Sequence, residues 1–196
     1  MDKIIEKNQK EALLKIAKKI NREIILEKNF PSEKEVYYVN FKEDIVTISL
    51  SNLNLNKLPQ EILNFKELVV LNLSKNNFLK FPEGIKLLKK ITILDLSYNQ
   101  IQEIPEWISE STNLKELRLN NNQLLSIPRT IRKLTFLKRL YLQGNPLQKI
   151  PIDLLELNFL EEIHLDFRTT MRKGIKMILI NLTSKGCKII SDYNRR

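Results

Sequence analysis

One pattern is written repeatedly into this chain at a fixed period of 23 residues. The motif L-x-x-L-x-L-x-x-N-x-Φ-x-x-Φ-P begins at Leu68, and its first residue recurs at Ile91, Leu114, Leu137 and Leu160. Pro59, Pro82, Pro105, Pro128 and Pro151 keep the same beat, as do Asn76, Asn99, Asn122 and Asn145. A period in this range means that each copy is one supersecondary unit unable to bury its apolar face alone. Neighbouring copies must stack, and the chain is a solenoid.

Within each copy the segment x-L-x-L-x alternates apolar and polar, the period-two signature of a strand with one buried face. Leu71/Leu73, Leu94/Leu96, Leu117/Leu119, Leu140/Leu142 and Ile163/Leu165 are the inward pairs. Because each strand recurs after one turn, the strands stack in parallel. The return path carries Φ-Pro, which favours an extended entry followed by a short helical or 3₁₀ stretch, since proline fixes its own φ and biases the preceding residue away from the helical region. The expected domain plan is a cap over 1–44, repeats over 45–167 and a second cap over 168–196.

Both caps have readable patterns. Residues 2–28 read as an amphipathic helix with Ile5, Leu13, Ile16/Ala17, Ile20 and Ile24 on one face. The alternating stretch Val36–Phe41 reads as a strand or hairpin leading into the first repeat. Beyond the repeats, Thr170 is placed to cap a helix over Met171–Lys185, with Met171, Ile175, Ile178/Leu179 and Leu182 inward and Gly186 as its stop. Cys187–Ile190 then reads as a last strand, closing a right-handed strand–helix–strand unit.

The formal charge of +10 is unevenly placed. Residues 168–196 hold eight basic side chains and one acidic one, while the repeats are nearly neutral. The single cysteine, Cys187, has no internal disulfide partner and fits a reducing compartment. No continuous apolar run of signal-peptide or membrane-spanning length occurs, so the default expectation is cytoplasmic, with export by a route lacking a cleaved signal left open.

Segments such as LVVLNLSKNNFLKFP, ITILDLSYNQIQEIP and LKRLYLQGNPLQKIP make residues 45–167 resemble the leucine-rich repeats of the 23-residue type common in bacterial proteins. The resemblance implies an α/β, right-handed horseshoe with a concave parallel sheet, a helical N-cap and a helix–strand C-cap. It implies protein–protein recognition. It also implies that Asn76, Asn99, Asn122 and Asn145 form a buried ladder through successive turns. Aligned from Ile45, the first copy has Leu53 at that position, between Asn52 and Asn54, so its turn is expected to be built differently.

Positions between the core leucines point out of the concave sheet. The middle row is Ser49, Asn72, Asp95, Arg118, Tyr141 and His164, and the row before it is Thr47, Val70, Ile93, Glu116, Arg139 and Glu162. The row after it is Ser51, Ser74, Ser97, Asn120, Gln143 and Asp166, followed by Asn52, Lys75, Tyr98, Asn121, Gly144 and Phe167. Tyr and Arg are enriched at binding hot spots. The candidate partner-binding residues are therefore Tyr98, Glu116, Arg118, Arg139, Tyr141, His164 and Phe167 in the C-terminal half. The competing reading is that Glu116, Arg139 and Glu162 merely pair across strands.

Catalysis has little material. His164 is the only histidine, Cys187 belongs to a capping strand, and there is no glycine-rich phosphate loop and no metal-ligand spacing. No cofactor, metal or catalytic residue is expected. The expectation is a non-enzymatic module for an unidentified protein partner, with the oligomeric state open. Nucleic acid and acidic membrane surfaces rank behind it; the basic C-terminal end would serve them.

Overall fold

The computed structural model describes residues 7–20, 25–26, 37–41 and 44–191. Among these, nine strands form one sheet in sequence order. They are β1 (Ile25–Leu26), β2 (Tyr37–Phe41), β3 (Asp44–Ser49), β4 (Val70–Asn72), β5 (Ile93–Asp95), β6 (Glu116–Arg118), β7 (Arg139–Tyr141), β8 (Glu162–Leu165) and β9 (Lys188–Ser191). From β3 to β9 every neighbour is parallel, while β2 and β3 pair antiparallel.

From β3 to β8 the register is the sequence period. Leu71 lies opposite Leu94, Leu94 opposite Leu117, Leu117 opposite Leu140, and Leu140 opposite Ile163. All five are fully buried. A one-residue slip would turn this column to solvent, so burial of one face locks the pairing. The ladder continues past the short strands into the turns, with Lys75 N–H donating to Ser97 O at 2.9 Å and Asn121 N–H to Gln143 O at 2.7 Å.

Each return path follows the Φ-Pro expectation. Pro82, Pro105, Pro128 and Pro151 are extended, with φ between −69° and −75°. A five-residue 3₁₀ segment follows each: Glu83–Leu87, Glu106–Glu110, Arg129–Lys133 and Ile152–Glu156. These segments lack room for a full α-helix and each inserts one buried apolar residue, Ile85, Ile108, Ile131 and Leu154, against the back of the sheet; Asp153 in the last is buried as well. The result is a right-handed α/β solenoid.

The N-terminal helix is shorter than its pattern. Helix α1 covers Lys7–Ile20, and β1 already stands at Ile25–Leu26, paired with β2 at Tyr37 and Tyr38. The helix expected over 2–28 is corrected accordingly: Ile25 and Leu26, both apolar, add to the sheet edge instead of extending α1. Ala12, Leu13 and Ile16 are buried, Ala17 is partly exposed, and Ile5, Ile24 and Val36 lie outside the described residues. Gln9 accepts the Ile45 N–H at 3.3 Å, and Lys19 pairs with Glu61 at 2.6 Å, fixing α1 over the first return segment.

At the other end the single expected helix is two. Helix α2 is one turn, Phe167–Thr170, and α3 spans Lys173–Ser184. Thr170 does not cap α3; its hydroxyl donates back to Phe167 O at 2.7 Å, which uses the side chain inside the first turn. Met171 therefore sits in the corner between the helices, 58% exposed, and the expected inward placement is corrected. Ile175, Leu179 and Leu182 do face the core. Gly186 ends the helix region at φ +90°, a left-handed conformation that glycine adopts without a Cβ penalty. Among the described residues no helix is long and apolar enough to cross a membrane.

Candidate functional site

The strand register brings distant residues into one line on the concave sheet. Asp95 lies opposite Arg118, Arg118 opposite Tyr141, and Tyr141 opposite His164. Adjacent strands sit about 4.8 Å apart, so planar side chains in such a row stack on one another. The Tyr141 and His164 ring centroids are 4.1 Å apart with planes at 24°. The Arg118 guanidinium carbon lies 5.4 Å from the Tyr141 centroid, and its Nη1 is 3.7 Å from Asp95 Oδ2. Ion pair, cation–π contact and ring stack thus form one continuous strip.

Glu116 lies beneath that strip. Its side chain is buried; Oε1 accepts from Arg118 Nε at 2.5 Å and Oε2 accepts from Arg139 Nε at 2.7 Å. Expected as a contact residue, Glu116 is instead covered by Arg118 from its own strand and by Arg139 from the next. Burial acts to depress the Arg118 guanidinium, but the charge and hydrogen bond of Glu116, with Asp95 behind them, outweigh it and raise its pKa. The Arg139 pKa is raised first by its hydrogen bond to Glu116. Burial, and then Glu116, push the Tyr141 phenol up. At neutral pH both guanidiniums are therefore charged and the Tyr141 phenol is protonated.

Arg118 and Arg139 keep 45% and 38% of their side chains exposed, so they remain available above Glu116. His164 Nε2 is 3.3 Å from Glu162 Oε2. Asp95 stood in the outward row without being chosen as a site residue. Its position one period before Arg118 was the signal that would have found it.

Tyr98 and Phe167 stand apart from the strip. Tyr98 occupies the turn after β5 with φ +54° and 52% exposure, and Lys75 Nζ lies 6.0 Å above its ring. The same turn position is left-handed at Asn52, Lys75, Asn121 and Gly144. Phe167 breaks that row because it opens α2 after Asp166. The Asp166 carboxylate accepts the Gly144 N–H, at 3.0 and 2.9 Å to its two oxygens, tying the last turn to the helix start. Ser74 and Ser97, counted among outward positions, are buried; Ser97 Oγ donates to Asp95 Oδ1 at 2.6 Å, folding the side chain back onto its own strand.

The four repeated asparagines are buried and each bonds to two turns. Asn99 Oδ1 accepts Phe78 N–H at 3.0 Å, while its Nδ2 donates to Leu73 O at 3.1 Å and Leu96 O at 3.0 Å. Asn122 does the same with Ile101 N–H, Leu96 O and Leu119 O, and Asn145 with Leu124 N–H, Leu119 O and Leu142 O. Asn76 Oδ1 accepts from both Leu53 and Leu55 N–H at 3.0 Å, because Leu53 leaves the first turn without its own amide. That turn carries a second left-handed residue, Asn54.

Cys187 is buried just before β9, and burial first, then Glu162, pushes its thiol up to about 11. A thiol so held is neutral at pH 7 and is a poor nucleophile.

A right-handed solenoid with a parallel concave sheet, 3₁₀ return segments and buried asparagines defines a repeat class of binding scaffold. The chain belongs to the leucine-rich-repeat family. The family described as Leucine Rich repeats (2 copies) matches residues 89–133. A chain of the BIR3–SERK2 complex from Arabidopsis thaliana is 32% identical, with a TM-score of 0.54, over 65% of this chain and 76% of that one. An LRR protein of Leptospira interrogans is 30% identical with a TM-score of 0.60 over 72% of this chain, which spans only 35% of that protein. A structure of the plant peptide hormone receptor RGFR1 in complex with RGF2 is 28% identical with a TM-score of 0.58, over 74% of this chain and 24% of that one. No curated protein sequence matches the chain. The fold generally mediates protein–protein interaction.

Proposed function

We propose that this chain is a non-catalytic protein-binding module whose partner docks on the concave sheet face over Arg118, Arg139, Tyr141 and His164. The observation that carries the reading is the ordered strip itself. Arg118 is held from below by Glu116, from one side by Asp95 and from the other by the Tyr141 ring. Side chains ordered before contact lose little conformational freedom on binding, and Arg and Tyr supply both area and polar contacts. The similar structures include the BIR3–SERK2 complex and the peptide hormone receptor RGFR1 in complex with RGF2, which supports the general reading.

The test is affinity capture from nuclease-treated lysates, with wild type and an Arg118→Glu/Tyr141→Ala variant side by side and mass spectrometry of what is retained. A protein held by wild type and lost by the variant, at unchanged melting temperature, is the expected result. Identical retention by both removes the site from this face.

A further inference from the structure

The basic C-terminal cap has a feature that charge alone does not explain. Helix α3 buries Ile175, Leu179 and Leu182 against the solenoid end. At 3.6 residues per turn, the direction opposite these three is occupied by Lys173, Met177 and Ile180, with Lys176 at the flank. Met177 is 61% exposed and Ile180 51%, and Met171 at the α2–α3 corner adds a third uncovered apolar side chain. Two of these are on the helix face that should be most polar.

Their surroundings in the sequence are cationic. In the repeats, Lys86, Lys89, Lys90, Arg118, Arg129, Arg132, Lys138 and Arg139 each sit beside a carboxylate. Residues 167–191 contain no Asp or Glu. Arg168, Arg172, Lys173 and Lys176 form no ion pair with any described residue.

We infer that the outer face of α3, with the α2–α3 corner, is a docking surface for an anionic lipid bilayer. Lys and Arg near such a surface gain from its negative potential, and apolar side chains between them enter the headgroup–acyl boundary. Charge complementarity selects the sign of the partner. Met171, Met177 and Ile180 select a bilayer over a nucleic acid, whose phosphate backbone offers nothing to exposed aliphatic side chains. The helix does not insert as a span; its inner face stays on the protein core, and only one stripe meets lipid. The repeats would then stand off the membrane with the concave sheet free.

The experiment is co-sedimentation with vesicles of phosphatidylcholine alone and of phosphatidylcholine with 30% phosphatidylserine, in 0.1 M and 0.5 M NaCl. Wild type should sediment with the anionic vesicles at low salt and be released at high salt. Lys173→Gln/Lys176→Gln should weaken binding by about 25-fold, from roughly five-fold per cation. Met177→Asn/Ile180→Asn should weaken it by about ten-fold at unchanged charge. All four positions are on the outward or flanking face, and circular-dichroism melts check that both variants fold. Absence of wild-type binding to anionic vesicles overturns the inference, as does binding that the Met177/Ile180 variant leaves intact. A 20-base-pair duplex bound more tightly than the vesicles and insensitive to that variant would assign the patch to nucleic acid and also overturn it. So would a wild-type dimer in sedimentation velocity, lost in the same variant, with no vesicle binding.

Discussion

Glu116 and Arg118 are two residues apart on one strand, yet Glu116 is buried and Arg118 lies over it, with Oε1 and Nε 2.5 Å apart. Side chains at i and i+2 share a sheet face, and the longer one closes over the shorter. Arg139, one period after Glu116, closes over it from the next strand. The carboxylate thus joins two cations that would otherwise repel.

Removing that carboxylate should disorder the strip before it unfolds the protein. Glu116→Ala is expected to cost about 1.5–3 kcal/mol, the range for hydrogen bonds to charged groups, because both guanidiniums are exposed enough to turn to water. Urea unfolding gives the stability change. The partner captured by wild type should be lost as well; a variant that still binds it fully would show that the arginines need no support.

Asn99→Ala should act in the opposite sense to a surface change. It leaves Phe78 N–H and the carbonyls of Leu73 and Leu96 short of a bond in a buried turn. The expected cost is about 2–4 kcal/mol, read from the urea midpoint. An unchanged midpoint would mean that water replaces the amide.

The turn positions after the strands separate strain from function. A Cβ on Gly144 would lie 2.3 Å from Asn121 Oδ1, at φ +74°, so Gly144→Ala should destabilise by about 1–3 kcal/mol. Tyr98 holds the same left-handed conformation with a bulky side chain. Tyr98→Asn, matching Asn52 and Asn121, should stabilise the chain by about 1 kcal/mol, since Asn tolerates this region. Thermal melts of both variants give the sign; a destabilised Tyr98→Asn would show that the Lys75 contact outweighs the strain.

Cys187 should be silent to thiol reagents in the folded chain. Its thiol is pushed up to about 11, against about 8.5 in an unfolded chain. Between those values the unfolded state gives up a proton that the native state keeps, so stability present below the unfolded value falls as pH rises through this window. Alkylation at pH 8 should be slow natively and fast in denaturant, and the urea midpoint should decline from pH 8.5 towards 11. Rapid native alkylation would place the thiol at the surface.

Much of the architecture could be read from the chain because a solenoid repeats its instructions. Leu71, Leu94, Leu117, Leu140 and Ile163 recur at one spacing, and the register pairs them at that spacing. Each Pro marks a return segment for a local steric reason that needs no knowledge of the rest of the fold. The outward rows were also legible, since alternation along a strand and the period together name every cross-strand neighbour.

Depth within those rows was not legible. Periodicity ranks Glu116 and Arg118 alike, and only side-chain length, reach and the presence of Arg139 on the next strand put one beneath the other. The caps escaped for a related reason. Without a repeat to set their register, Ile25 and Leu26 join the sheet edge, and Met171 turns outward where Thr170 bonds within its own turn. The sequence by itself determined what is periodic, because identical local forces act in every copy. The tertiary structure alone decided which side chain lies on top, because that depends on neighbours present in only one place.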